Sequence, residues 1–199
     1  MSVDHTKVLK QSLTACCVTG NLYNKHDMIK LVISADGVLC FDLKHNLVGE
    51  TFFLTNSRLV ITEFLQKSIS GQDFSDINSK SSTKWSILDN TNLVDYIAEV
   101  YLRQMLSLIS LAKKSGNLVL GKETISHSLQ KAGIIVQARD ASCRERFSQN
   151  GAVSVCEIFD VAQLSKACGK ENTRYLLITN QIAESFKKFY DKYNCYLIG

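Results

Sequence analysis

A polar stretch near the middle constrains this chain most. Residues 70–92 read SGQDFSDINSKSSTKWSILDNTN, and no helical or strand period persists through them. Ser, Asp, Asn, Thr and Lys dominate, a composition that reads as a linker, with Phe74, Ile77, Trp85 and Ile87 as candidates to pin part of it to a domain. The chain therefore divides around it. The expected organisation is an N-terminal unit over residues 1–70, a linker over 71–92 and a C-terminal unit over 93–199. A chain of 199 residues suffices for one large domain or two small ones.

The N-terminal unit alternates short apolar stretches with turn signals. Met28 to Ser34 (MIKLVIS) reads as a strand or as the end of a helix leading into one, Ala35-Asp36-Gly37 as a turn, and Val38 to Phe41 as the second strand of a hairpin. A turn over Asn46 to Gly49 precedes a third strand at Thr51 to Leu54. Leu59, Val60, Phe64 and Leu65 then recur near helical spacing behind Asn56 or Ser57, either of which can cap a helix. This predicts a small α+β domain.

The C-terminal unit opens with Asn92 as a helix cap. Val94, Ile97, Tyr101, Met105, Leu108, Ile109 and Ala112 form one apolar stripe, ended by Lys113, Lys114 and Gly116. Strands are expected at Leu118–Leu120, Ile134–Ala138, Val153–Phe159 and Tyr175–Thr179. Helices are expected at Thr124–Lys131, Cys143–Gln149, Val161–Ala167 and Ile182–Tyr190. The alternation predicts a three-layer α/β/α sandwich, so the fold class of the whole chain is α/β.

Composition excludes several classes. Apolar residues make up 45% and charged residues 21%, which rules out wholesale disorder. No apolar run is long enough to span a bilayer and no signal-peptide pattern opens the chain, so a cytoplasmic protein without a membrane partner is expected. The seven cysteines (16, 17, 40, 143, 156, 168 and 195) are odd in number and lack CxxC spacing. They read as buried thiols in a reducing compartment, with no disulfide framework and no metal. His5, His26, His45 and His127 are dispersed, and no HExxH, GxSxG or P-loop occurs. A Cys16 pairing with His26 or His45 is the weak exception, so neither an enzyme nor a cofactor is expected. The net charge of +4 comes from the C-terminal unit: residues 93–199 hold fourteen basic and ten acidic side chains.

The segments LISLAKKSGNLVLGKETISHSLQKAG, IIVQARDAS and LSKACGK resemble the ribosomal protein L-seven-Ae family and its YlxQ-type members, which bind kink-turn RNA. The matching elements are Gly116 and Gly121, Asp140, and Leu164 with Ala167-Cys168-Gly169, across about residues 103–190. Cys16, Thr19, Gly20, Lys30, Asp36, Gly37, Asp42 and Gly49 fall in an order similar to the YlxR family. The pair in this order resembles two-domain RNA-binding proteins of alphaproteobacteria. The resemblance implies binding of structured RNA, ribosomal or nascent, in transcription termination or in translation on the ribosome. It also implies departures. Glu50 stands where YlxR proteins carry a base, and Glu123, Thr124 and His127 stand where kink-turn readers carry Asn, Glu and Lys.

The residues expected to contact RNA follow. Gly121 allows close backbone approach at a helix start, with Lys122 in the first turn, His127 at the family's reading position, and Lys131 further on. Lys113 and Lys114 end the preceding helix. The resemblance makes the loop after Gly169, flanked by Lys170 and Arg174, a grip on RNA, and Arg139 lies in a basic cluster with Arg144 and Arg146. Lys30 and Lys44 are the candidates in the first unit. Asp140 reads as the cap of a helix starting near Ser142, and Phe186, Phe189, Tyr190, Tyr193 and Tyr196 as core packing at helical spacing rather than a base-stacking platform. The alternative function is a protein–protein interaction module with a degenerate RNA site. A third resemblance, to the substrate-binding domain of RNA ribose methyltransferases, lacks the catalytic domain expected before Gly199.

Overall fold

The computed structural model describes residues 13–69, 86–87, 92–128, 133–142, 146–147 and 154–199. It divides into two compact units, residues 1–100 with 192–199, and residues 101–191.

The first unit opens with a short antiparallel ribbon, β1 (Leu13–Ala15) paired with β2 (Leu22–Asn24). A 3-10 turn over Lys25–Asp27 follows, capped by Asn24, whose side-chain oxygen accepts the His26 N–H at 3.1 Å. The main sheet comprises β3 (Ile29–Ile33), β4 (Val38–Phe41), β5 (Glu50–Leu54) and β6 (Ser86–Ile87), in the order β5-β3-β4-β6. Both neighbours of β3 are antiparallel, with Leu31 opposite Phe41 and Phe52, and β6 runs parallel to β4. All five residues of β3 are buried, so the apolar run reads as the central strand. The β3–β4 turn is held by Ser34 N–H donating to Val38 O and by Gly37 in the left-handed region at φ 75°.

The helix α1 (Arg58–Ile69) is capped by Ser57, whose hydroxyl accepts the Val60 N–H at 3.3 Å. Asn56, the alternative cap, instead donates its side-chain amide to Lys192 O at 2.7 Å. Ile61 and Phe64 are fully buried, and the Phe64 ring lies 5.3 Å from Phe52. Burying two such side chains stabilises the unit by ~1.5–3 kcal/mol each. The β1–β2 ribbon was not expected, because three-residue strands are too short to show a period.

The remaining elements are α2 (Leu93–Lys114), β7 (Leu118–Leu120), α3 (Lys122–Ser128), β8 (Gly133–Gln137), β9 (Ser154–Cys156), α4 (Val161–Cys168), β10 (Tyr175–Thr179) and α5 (Asn180–Ile198). Val94, Ile97, Tyr101, Met105, Ile109 and Ala112 are the buried stripe of α2, as the spacing predicts. The sheet order is β7-β10-β8-β9. β10 is antiparallel to both β7 and β8, and β8 is parallel to β9. Every residue of β10 and all of β8 except Gly133 are buried. Successive side chains point to opposite faces, so both faces of the sheet are covered, as a layered α/β arrangement requires. Phe186 and Tyr196 of the aromatic tail are fully buried.

Three expectations change. The expected unit of residues 93–199 is divided: the start of α2 and the end of α5 group with the first unit. The side-chain bonds explain this, since Tyr196 Oη donates to Val94 O at 2.8 Å and Arg58 pairs with Asp95. Of the expected linker, only Ser86, Ile87 and Asn92 lie within the described residues. Arg146 and Phe147, expected in a helix over 143–149, are irregular; the rest of that segment lies outside the described residues. The buried Gln137 side chain accepts the Phe147 N–H at 2.9 Å and donates to Phe147 O at 3.4 Å. It thereby takes both backbone groups that a helix would use. Asp140 accepts the Val161 N–H at 3.0 Å, in the first turn of α4, whose cap is Asp160; most of the helix expected to start near Ser142 lies outside the described residues.

Gly133 sits where β8 meets the end of β10, and a Cβ there would lie 2.3 Å from Ile178 O. The obstacle is backbone, which cannot swing aside. Gly133→Ala is expected to destabilise the second unit by ~1–3 kcal/mol in denaturant titration.

Candidate nucleic-acid interface

Strand order brings together cations that the sequence keeps apart. Leu120 pairs with Leu176, and Gly121 N–H continues the ladder by donating to Tyr175 O at 3.2 Å. Lys122 therefore begins beside Arg174. On the other flank of β10, Ala138 N–H donates to Arg174 O at 2.8 Å, which places Arg139 next in line. Adjacent strands lie ~4.8 Å apart, so the backbones of Lys122, Arg174 and Arg139 lie at the neighbouring ends of β7, β10 and β8, spread over about 10 Å across the sheet. Arg174 and Arg139 are exposed and Lys122 is half-buried. Lys122 and Arg174 have no ion-pair partner among the described residues.

Acids temper this row. Arg139 pairs with Asp160 at 3.4 Å, and Arg146 pairs with Glu157 at 3.1 Å while donating to Arg139 O at 2.8 Å. The Arg139 side chain is 62% exposed. A pair so exposed contributes little to stability, and an incoming phosphate can displace the carboxylate. Glu123, exposed beside Lys122, remains an opposing charge.

A second group of cations surrounds the end of α4. Gly169 takes the left-handed conformation at φ 57° and closes the helix, with Lys170 N–H donating to Ser165 O at 3.2 Å. A Cβ on Gly169 would come within 3.2 Å of Lys113 Nζ, so the Lys113 ammonium lies against the turn that carries Lys170. Ser110 Oγ, one turn earlier on α2, donates to Ala167 O at 2.9 Å. Lys113, Lys114, Lys166 and Lys170 are all exposed there. Lys166, not expected here from the sequence, is the basic residue in the last turn of α4. The negative ends of α2 and α4 offset part of this charge, which makes the Lys122–Arg174 row the stronger anion attractor.

The remaining expected residues fall as follows. Gly121 is exposed in the left-handed region at φ 91°, but its N–H is used by Tyr175 O and is not available to a phosphate. The described span of α3 is seven residues, too short for its N-terminus to be an anion site. The first turn of α4 is already occupied, Asp160 accepting Gln163 N–H and Asp140 accepting Val161 N–H. His127 is exposed in the last turn of α3. Lys131 lies outside the described residues. Lys113 and Lys114 stand at the opposite end of β7 from Gly121, about 10 Å along a three-residue strand.

In the first unit, Lys44 is exposed on a turn. Lys30 is a correction. It is 8% exposed and donates to Asp42 Oδ2 and to Leu47 O, both at 2.8 Å. Its ammonium is spent inside the protein. Asp42, 2% exposed, also accepts the Asn46 and Leu47 N–H groups at 3.2 and 2.9 Å. Burial pushes its carboxyl up, and the Lys30 bond with those two amides pulls it further down, to below its ordinary range.

Among the described residues no group of His, Cys, Asp and Glu is placed to hold a metal, and no helix is long and apolar enough to cross a membrane. Neither a protein-family model nor a curated protein matches the chain. Among solved structures it is similar to a protein of unknown function from Bacillus halodurans C, at 18% identity and a TM-score of 0.41, over 44% of this chain and 96% of that one.

Proposed function

We propose that the protein is a non-catalytic binder of structured RNA, ribosomal RNA or a nascent transcript, which it serves in the cytoplasm in transcription termination or in translation on the ribosome. The observation that carries the reading is the row of Lys122, Arg174 and Arg139 across three neighbouring strand ends. Cations on adjacent strands match a polyanion, whose phosphates recur along a line, better than a single small anion. The resemblance of residues 103–190 to kink-turn binders, and of the first unit to YlxR proteins, points the same way. Glu123 and Thr124 stand where base-reading residues belong, so contact is chiefly with the phosphate backbone and specificity comes from RNA shape.

Ultraviolet crosslinking of the full chain in cells, followed by sequencing of the RNA and mapping of the crosslinked peptides, tests this. Adducts are expected in the peptides containing Lys122 and Lys170–Arg174. The pairing of Arg139 with Asp160 and of Arg146 with Glu157 favours one rival reading, an interaction module whose RNA site has decayed. Recovery of proteins in place of RNA would establish that rival and end the RNA reading.

A further inference from the structure

The first unit carries a second cationic surface, built around rings. The Lys25 ammonium lies 4.9 Å from the centre of the Phe53 ring. The His45 ring meets the same Phe53 edge-on at 6.1 Å and stacks on the His26 ring, with centroids 6.1 Å apart and planes within 18°. Lys192 Nζ donates to His26 O at 2.5 Å, bringing a third side chain to the stack. Lys44, adjacent to His45 on the same turn, is exposed, as are Lys25 and His26. The acids nearby are Asp27, which is exposed, and Asp42, which is already neutralised by Lys30.

Backbone geometry fixes this arrangement. His45 adopts the left-handed conformation at φ 56° and its N–H donates to Asp42 O at 3.3 Å, so the buried Lys30–Asp42 pair anchors the turn that presents the ring. The 3-10 turn capped by Asn24 presents Lys25 and His26 from the other side. Two near-parallel, offset imidazoles, the His26 one exposed, with the exposed Lys25 and Lys44 beside them, supply the elements that hold single-stranded nucleic acid: a stacking face plus cations for the backbone.

We propose that this surface is a second contact for the same RNA, its lysines gripping the backbone of a single-stranded segment while an unstacked base lies on His26. The proposal rests on the reading that the chain binds RNA. The groups facing His45 are Lys192, Asp42, Lys30 and His26. Burial first, and then the Lys192 ammonium, push its imidazole below the ordinary value, against the opposite pull of Asp42. A phosphate placed among these cations favours the charged ring, so binding takes up a proton.

The experiment measures binding of the full chain to a labelled uridine 12-mer and to total ribosomal RNA as salt is varied. Lys25→Glu with Lys44→Glu is expected to shrink the slope of log affinity against log salt for the 12-mer by about 1.4, two single-strand contacts at ~0.7 each. His26→Ala is expected to weaken 12-mer binding by about fivefold or more. His45→Asn, which keeps the left-handed turn, should reduce the gain in affinity on moving from pH 7.5 to 5.5. Circular dichroism confirms that each variant folds. If these variants bind as the parent does while Lys122→Glu with Arg174→Glu loses affinity, this surface is not an RNA contact and the proposal is overturned, with the RNA reading intact. If the parent binds neither RNA, both readings fall.

Discussion

Replacing Lys30 with methionine is expected to destabilise the first unit by about 3–5 kcal/mol in denaturant titration. Asp42 is 2% exposed and Lys30 8%, so removing the ammonium leaves a carboxylate with no countercharge in the interior. Leu47 O loses its donor as well. The stem of methionine fills much of the same volume, so the loss reports the charge rather than a cavity. Lys30→Met combined with Asp42→Asn should cost clearly less than the two single changes added together. Removing the whole pair is cheaper than orphaning half of it.

The same pair sets a pH dependence whose sign follows from the Asp42 carboxyl. Its folded value lies below the ordinary 3.8, so its stabilisation is present above that pH and is lost as pH falls through the folded value. In Lys30→Met the ammonium that helps pull the carboxyl down is gone, so the folded value rises relative to the parent. The penalty of the substitution is then largest at neutral pH and shrinks as acid protonates Asp42. Unfolding curves at pH 7 and pH 3.5 check this: the gap between parent and variant should narrow in acid. A gap that is constant or wider would show that Lys30 does not act through Asp42.

Reversing the charge of the sheet-end row is expected to have the largest effect on binding. On the proposed reading, Lys122→Glu with Arg174→Glu removes two charged hydrogen bonds to phosphate, each about 1.5 kcal/mol. Affinity for ribosomal RNA should fall by roughly 100-fold at fixed salt, since about 1.4 kcal/mol is a factor of ten. Arg174 is exposed and Lys122 half-buried, and neither has an ion-pair partner among the described residues. Stability should therefore stay within ~0.5 kcal/mol of the parent. Filter binding with a thermal-melt control separates the two effects. Unchanged affinity would place the RNA contact elsewhere.

The sequence shows the elements more clearly than it shows their partners. Val38–Phe41 and Tyr175–Thr179 are strands with the bounds expected of them, because Asp36-Gly37 marks one and a run of β-formers the other. Asn92 caps α2 as expected, its side-chain oxygen accepting the Val94 N–H at 3.2 Å. What the sequence hides is pairing across distance. Nothing along the chain says that Lys30 meets Asp42 twelve residues on, so it reads as one more surface cation. Gln137 masquerades as the polar end of an apolar strand, yet it holds Phe147 out of a helix. Lys113 and Lys114 read as neighbours of Gly121 because they are near in sequence. The partners of Lys122 at the sheet end are Arg174 and Arg139, brought there by the order β7-β10-β8. His26 and His45, dispersed along the chain, stack only because two turns converge on Phe53.

The most direct test is the salt dependence of the unmodified chain binding ribosomal RNA. If the protein grips a polyanion through several cations, log affinity falls linearly with log salt, with a slope steeper than about −2, and the Lys122→Glu/Arg174→Glu variant shows a slope shallower by about 2. A parent slope near zero, or identical slopes in parent and variant, would contradict the account.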